Sequence, residues 1–250
     1  MSTLKTSTQS IIQKFEKLPF DGHTISCPYF NNKRAQQRAA LRVMIGKGTV
    51  EEIAEEADMI ARKKHIDLYI LSDEQLKHFL VHNHLGIDCS AFAYYILAQE
   101  YYETKHKDLK KQLYFPHAKN PLRKLLIKLR PVENISVRVL AHEKNAEKIS
   151  LKDIQAGDMI IMMNGGPRKD YNHILVVTDV QQSTVNYVHS FAWPSDGEYN
   201  HGIKHGTIAI IDPDKTILDQ QWEEQTKTGQ ENWTYMHGRS CEKIFVARLR

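Results

Sequence analysis

The sequence predicts an α+β fold in which N-terminal helices, one of them starting with a cysteine, pack on a C-terminal antiparallel β-sheet. In the first half of the chain, apolar residues recur at the three- and four-residue spacing of helices. From Asp158 onward they alternate with polar residues, and β-branched residues dominate. Helices followed by strands favour an antiparallel sheet over alternating βαβ units. Because no internal repeat or low-complexity tract divides the 250 residues, we expect one domain over residues 1–250.

The composition is that of an ordinary globular protein, with 41% hydrophobic and 26% charged residues. The net charge of +4 permits weak attraction to anionic polymers without requiring it, and we expect no nucleic-acid partner. No stretch approaches the roughly 18 apolar residues of a membrane span, so no span is expected. The polar start of the chain predicts a cytoplasmic location, with action outside the cell after lysis or dedicated export left open.

Three cysteines, Cys27, Cys89 and Cys241, are too few and too scattered for a disulfide framework, and no C-x-x-C pair suggests structural zinc. A reducing compartment, no metal and no cofactor are therefore expected. Cys27 precedes a proline in a turn-rich segment, which favours a structural role for it.

An N-terminal arm and a series of helices are predicted before Cys89. The arm, residues 1–33, contains a short amphipathic piece that ends at Pro19. A helix is predicted for residues 34–45, because a glycine-rich stop follows it. Capping-box patterns open two further helices, at residues 49–64 and from residue 72 to about residue 80.

We interpret residues 103–150 as an insertion that could cover a cleft. Its start is strongly charged, and residues 122–129 form a basic amphipathic piece whose charges indicate a solvated face. β-Strands are predicted at residues 135–140, 159–163, 173–180, 185–191, 207–211 and 244–249.

Cys89 is predicted to begin a helix that runs to about Tyr102. Asp88 fits as its N-cap, and the buried face would be formed by four side chains, Phe92, Tyr95, Ile96 and Tyr102. The first-turn N–H groups and the helix dipole favour a thiolate over a thiol, so this is a position where cysteine becomes reactive. The alternative is a structural cysteine, since free cysteine usually behaves as a small buried hydrophobe.

Two histidines are the best partners for a reactive thiol. His173 begins one apolar strand and His189 ends the next, so in a hairpin these strand ends lie side by side. A thiol nucleophile needs a base and a group that orients the base, and the three come together only in the fold. A single histidine at a strand end is more often unremarkable, and metal binding by Cys and His is a further alternative, although no paired ligand spacing supports it.

At these residues the chain resembles the NlpC family of papain-like cysteine peptidases, which cleave peptides of bacterial cell walls. Residues 88–92, Asp-Cys-Ser-Ala-Phe, are similar to the family's Asp-Cys-Ser-Gly-Phe signature. Residues 156–160 resemble its Gly-Asp-Leu strand start, and residues 172–177 resemble its His-Val-Gly-Ile-Val strand. Residues 188–190, Val-His-Ser, are similar to the strand end that carries its third residue. The resemblance covers about residues 83–191.

The resemblance implies a role for each of these residues. Cys89 would be the nucleophile, His173 the base and His189 the orienting group, on a papain-like fold with the Cys helix against a small antiparallel sheet. Some family members bind the substrate peptide with the residues that flank the cysteine, which implicates Asp88 and Ser90 here.

The chain also departs from the family pattern. Ala91 replaces a glycine, and the separation of 84 positions between Cys89 and His173 exceeds what a minimal member needs, which is why residues 103–150 are interpreted as an insertion. No tyrosine stands shortly before the cysteine to help hold an oxyanion. We therefore take Asn83 or His84, with the Cys89 backbone N–H, as oxyanion candidates.

The leading hypothesis is a monomeric cysteine peptidase or amidase that hydrolyses an amide bond in a peptidoglycan-type peptide, or muropeptide, through a thiol acyl-enzyme. Fold does not fix substrate, so another amidase or acyltransferase activity on the same scaffold is an alternative. A catalytically silent cell-wall-binding module is a further alternative from a different functional class.

Overall fold

The computed structural model describes residues 1–32, 41–118 and 120–250, and within them the chain has the predicted α+β architecture. The α-helices are α1 (Thr6–Glu16), α2 (Val50–Lys64), α3 (Asp73–His82), α4 (Cys89–Lys105), α5 (Leu109–Gln112), α6 (Pro121–Leu129), α7 (Val137–Leu140) and α8 (Trp233–Ser240). The strands are β1 (Ser2–Thr3), β2 (Ala146–Ile149), β3 (Met159–Gly165), β4 (Tyr171–Gln181), β5 (Thr184–Phe191), β6 (Gly202–Ala209), β7 (Gln221–Glu224), β8 (Lys227–Thr228) and β9 (Lys243–Leu249).

The strands form one large antiparallel sheet in the order β2-β9-β3-β4-β5-β6-β7-β8. Strand β1 pairs with the far end of β4, through Ser2 and Val180, beyond the point where β3 stops pairing. The predicted hairpin of β4 and β5 is confirmed, with Val176 opposite Val188. Continuing that register places His173 opposite Phe191 and makes His189 its diagonal neighbour.

Both faces of the central strands are buried. In β3, Met159 and Ile161 belong to the core that contains the helices, whereas Ile160 and Met162 belong to a second core on the other face. This explains the continuous apolar run in β3, because a strand covered on both faces does not alternate. Helix α4 packs its buried face, with Phe92 fully buried, on the first of these cores.

The N-terminal arm is an integral part of the core. Phe15 of α1 makes an edge contact with Phe92 of α4, at a ring-centroid distance of 5.4 Å. Leu4 and Ile12 are buried as well. The arm therefore supports the back of the helix that carries Cys89.

Two predictions about secondary structure and burial are wrong. Residues 135–140 do not form a strand: Ser136 accepts a hydrogen bond from the Val139 N–H and caps the short helix α7. A local side-chain cap here outweighs the alternating pattern. On α4, Tyr102 is exposed and Tyr101 is buried instead, because Tyr101 continues the four-residue row that passes through Leu97.

The helix predicted for residues 34–45 lies largely outside the described residues. Its last part, Arg42–Ile45, is a 3-10 helix that ends at Gly46 with φ of 74°. The predicted helices at residues 49–64 and 72–80 are confirmed, and both have a complete capping box.

The segment interpreted as an insertion, residues 103–150, packs on the body of the protein at several points in its described part. Leu109, Ile127 and Val132 are buried, and β2 joins the edge of the sheet through β9. No helix among the described residues is long and apolar enough to cross a membrane.

Candidate active site

The turn into α4 is fixed by contacts to a distant loop. The Ile87 N–H donates to the Pro28 carbonyl at 2.9 Å, and Phe30 donates back to the Ile87 carbonyl at 3.1 Å. A Cβ at Gly86 would lie 2.5 Å from the Pro28 carbonyl oxygen, so this close approach requires glycine. The loop at residues 28–30 is thereby held beside the start of α4.

Cys89 occupies the first position of α4, as predicted, and Asp88 is the N-cap. Asp88 Oδ1 accepts the Ala91 N–H at 2.7 Å and the Ser90 hydroxyl at 2.9 Å. The other oxygen, Oδ2, lies 2.6 Å from Lys47 Nζ. The capping carboxylate is therefore bonded through both of its oxygens.

Lys47 is buried beneath the start of α4, and its ammonium group is saturated with partners. Besides Asp88, it donates to the Ser90 hydroxyl at 2.6 Å and to the Ile135 carbonyl at 2.9 Å. Its three N–H bonds match these three acceptors. This internal cation is a feature that the sequence analysis missed, because its position 42 residues before Cys89 carries no local signal.

His173 and His189 come together as predicted, and a third group extends the pair. His173 Nε2 lies 2.7 Å from His189 Nδ1, and His189 Nε2 lies 3.0 Å from Glu224 Oε2. Glu224 comes from β7 and its side chain is fully buried. Two further hydroxyls donate to its carboxylate, that of Tyr187 at 2.7 Å and that of Thr234 at 3.1 Å.

Glu224 determines which nitrogens of the two imidazoles carry protons. Burial alone would raise the pKa of Glu224, but the neighbouring His189 and the hydrogen bonds outweigh burial and lower it, so the carboxylate is ionised. An ionised carboxylate only accepts, so His189 Nε2 donates to it; in the neutral form of His189, Nδ1 then accepts from His173 Nε2. The remaining nitrogen of His173, Nδ1, then carries a lone pair, as a base requires.

Cys89 and His173 line the same cleft, which has a volume of about 1060 Å³. The Cys89 sulfur lies beside the backbone N–H of Ile174, the residue that follows His173. Aromatic rings form part of the wall, and Phe191 packs on His173 at a ring-centroid distance of 4.4 Å. Other lining residues include Tyr29, Asn31, Asp88, Ser90, Ser136, Val137, Arg168, Tyr171, Trp233, Met236 and His237.

Burial governs the protonation of the thiol. Burial, with a smaller contribution from the charge of Asp88, raises the pKa of Cys89 to about 12, against opposing effects of Lys47 and of the N–H groups of Ile174 and Ser90. The thiolate expected at the helix N-terminus is therefore not formed in advance in this state. Desolvation of the sulfur outweighs the favourable backbone dipoles.

Burial also keeps His173 neutral. It lowers the pKa of His173 well below 6.5, and the nearby His189 and His237 lower it further. A neutral thiol and a neutral imidazole therefore line the same cleft.

His237, on α8, is a cleft residue that the sequence analysis did not single out. Its ring lies 5.8 Å from that of His173 and 5.5 Å from that of Phe191, between centroids. Burial lowers the pKa of His237 to about 4, with a further contribution from His189. It is therefore a second neutral imidazole on the cleft wall.

The two oxyanion candidates, Asn83 and His84, do not line the cleft. The Asn83 side chain accepts from Lys64 Nζ at 2.6 Å and donates to the Phe79 carbonyl at 2.7 Å. The structure brings Tyr29 to the cleft instead, through a bridge between Tyr29 and Ile87. The sequence did not predict this position for Tyr29, because the residue stands 60 residues before Cys89.

The three cysteines, all within the described residues, form no disulfide, and Cys27 is fully buried. Among the described residues, no group of three or more His, Cys, Asp or Glu side chains is placed to hold a metal ion.

Comparisons of the chain with protein-family models, with curated proteins and with solved structures find no match.

Proposed function

We propose that this protein is a cysteine hydrolase of the NlpC type, with a papain-like arrangement of the Cys helix against the sheet, and that it cleaves an amide bond in a peptidoglycan-type peptide. The observation that carries the proposal is the buried relay from Glu224 through His189 to His173, which ends in the cleft that Cys89 lines. A cysteine with only a structural role needs no such relay beside it.

In the proposed acylation, the Cys89 sulfur attacks the carbonyl carbon of the scissile amide while its proton passes to His173 Nδ1. The imidazolium then gives this proton to the departing amine, the C–N bond breaks, and a thioester remains. His189 and Glu224 stabilise the imidazolium, because the relay ends in a buried negative charge.

Hydrolysis of the thioester completes the reaction. His173 Nδ1 takes a proton from water as the oxygen attacks the thioester carbon, and the proton returns to the sulfur as the carboxylic acid leaves. The Cys89 backbone N–H and the Tyr29 hydroxyl, both at the cleft, are the proposed donors to the oxyanion.

The cleft supports a peptide substrate. It is open and large enough for several residues of an extended peptide, and its wall combines aromatic rings with the exposed guanidinium of Arg168. The guanidinium of Arg168 suits a peptide that carries carboxylates, as wall peptides do. Because Lys47 already bonds both Asp88 and Ser90, a substrate amine at those residues would have to compete with an internal ammonium.

The test is digestion of defined muropeptides, followed by mass spectrometry. We expect the wild-type chain to release a new amine and a new carboxylate from one amide bond, and Cys89→Ala to release none. Cys241→Ala is the matched control, since this cysteine does not line the cleft, and it should cleave as the wild type does. Cleavage by folded Cys89→Ala would refute the proposal, whereas transfer of the acyl group to an added amine would favour the acyltransferase alternative.

A further inference from the structure

Helix α6 exposes an apolar face that nothing in the described part of the protein covers. Leu122, Leu125, Leu126 and Leu129 are 68%, 54%, 44% and 69% exposed. Their spacing of three, four and seven residues places them on one side of the helix. The single buried side chain of α6, Ile127, anchors the helix to the protein. Four neighbouring exposed leucines differ from the scattered apolar residues that normal surfaces carry.

The stretch of sequence that contains α6 is strongly positive. Residues 105–130 contain nine Lys and Arg and one Asp, a net charge of +8, so the other residues of this +4 chain sum to −4. Arg123, Lys124 and Lys128 are exposed on α6 itself, which contains no acidic residue. The basic charge of an otherwise acidic protein is thus concentrated where its leucines are exposed.

We propose that α6 and the basic residues around it bind the surface of a membrane that contains anionic lipids. A helix with an apolar face and a Lys/Arg-rich polar face lies in the plane of the interface, with the apolar face among the acyl chains and the cations at the headgroups. With nine residues, α6 is about 14 Å long and far too short to span a bilayer.

Other occupants fit this face less well. A nucleic acid would use the cations and leave the leucines in water. A second copy of the chain, packed symmetrically through α6, would bring two segments of the same positive charge together. The exposed aromatic rings of Tyr102 and Tyr114, in and beside the same basic segment, also suit a membrane interface.

The inference does not rest on the proposed hydrolysis, since membrane binding is measured without any substrate.

The experiment is co-sedimentation of the full chain with two kinds of vesicles, phosphatidylcholine alone and phosphatidylcholine mixed equally with phosphatidylglycerol. We expect binding to the mixed vesicles only, and weaker binding as salt rises. Leu122→Ser/Leu126→Ser should weaken binding about tenfold or more, since each leucine loses its transfer into the acyl region. Lys124→Gln/Lys128→Gln should weaken it as well.

The matched control is Ile70→Ser/Ile211→Ser, which removes two apolar side chains that are 78% and 66% exposed elsewhere on the surface. It should bind like the wild type, and thermal melting should show that all variants stay folded, because each substituted side chain is exposed. Absence of binding to the mixed vesicles would overturn the proposal. So would leucine variants that bind undiminished, or a control that loses binding equally. Binding of a DNA oligonucleotide without vesicle binding would assign the basic segment to nucleic acid instead.

Discussion

His173 Nε2 lies 2.7 Å from His189 Nδ1, and this contact leaves Nδ1 of His173 for chemistry at the cleft. The direction of this His173–His189 hydrogen bond is set by Glu224, because His189 Nε2 donates to its buried carboxylate. His173, the proposed base, therefore depends on Glu224, which does not line the cleft. This dependence gives the first prediction.

Glu224→Gln should reverse the direction of the hydrogen bonds from residue 224 through His189 to His173, while the side chains keep their positions. The amide can donate to His189 Nε2, in which case His189 Nδ1 donates to His173 Nε2 and the proton of His173 moves to Nδ1. We expect kcat/KM for muropeptide cleavage to fall about a hundredfold or more, as happens when a buried partner fixes the wrong tautomer. Glu223→Gln, an exposed neighbour on the same strand, should change little. Equal activity of the two variants would contradict the role of Glu224.

Alkylation of Cys89 by iodoacetamide should reveal whether His173 assists the thiol. If His173 accepts the thiol proton, the alkylation rate of Cys89 should level off once the pH exceeds the pKa of His173, which lies well below 6.5. In His173→Ala the sulfur must ionise alone, against the burial that raises its pKa to about 12 in the wild type, so the rate should keep rising with pH up to pH 10, by up to about tenfold per pH unit.

Cys241 provides an internal control for this measurement, because burial raises its pKa to about 11 and its labelling should follow the steep profile in both proteins. Peptide mapping separates the two sites. A steep profile for wild-type Cys89 would mean that the imidazole does not take the proton.

The residues of the site that the sequence predicts are those whose signals are local. Asp88 and Cys89 are adjacent, and together they predict the capped start of a helix. His173 and His189 belong to one hairpin, whose register follows from the pattern of its two strands. The fold class follows in the same way, from the change of apolar period along the chain.

The residues that sequence analysis missed act from a distance. Lys47, Glu224 and His237 reach the site only because separate elements pack together, and none stands in a motif. At residues 135–140 a local signal misled the prediction. The alternating apolar pattern predicted a strand, but the Ser136 cap stabilises a short helix instead. The exposed leucines of α6 are present in the sequence, but only the structure shows that nothing described covers them.

Lys47→Met should destabilise the protein by about 3 kcal/mol, because it leaves the Asp88 carboxylate, only 14% exposed, without its cation. Adding Asp88→Asn should restore part of this loss, since the neutral amide no longer needs a counter-ion. Urea unfolding of the single and double variants measures the coupling.

The exposed pair of Lys14 and Glu51, 3.7 Å apart, supplies the contrast: Lys14→Met should cost less than about 1 kcal/mol. Additive effects of Lys47→Met and Asp88→Asn would show that the buried pair is not coupled.

His237 should make the protein less stable in acid, and the sign follows from its depressed pKa of about 4 in the folded state. Above pH 6.5 the imidazole is neutral in both folded and unfolded chains and contributes nothing. As pH falls below 6.5, the unfolded chain takes up a proton that the folded chain refuses until about pH 4, so the free energy of unfolding decreases. The full difference between the unfolded pKa of 6.5 and the folded pKa of about 4 corresponds to about 3 kcal/mol of unfolding free energy.

His237→Asn should remove this contribution to the pH dependence of stability. His65→Asn, at the end of α2 and outside the cleft, should leave that pH dependence unchanged. Urea unfolding at several pH values between 4 and 7 measures both. A wild-type profile that His237→Asn does not flatten would show that this imidazole is not held neutral by burial.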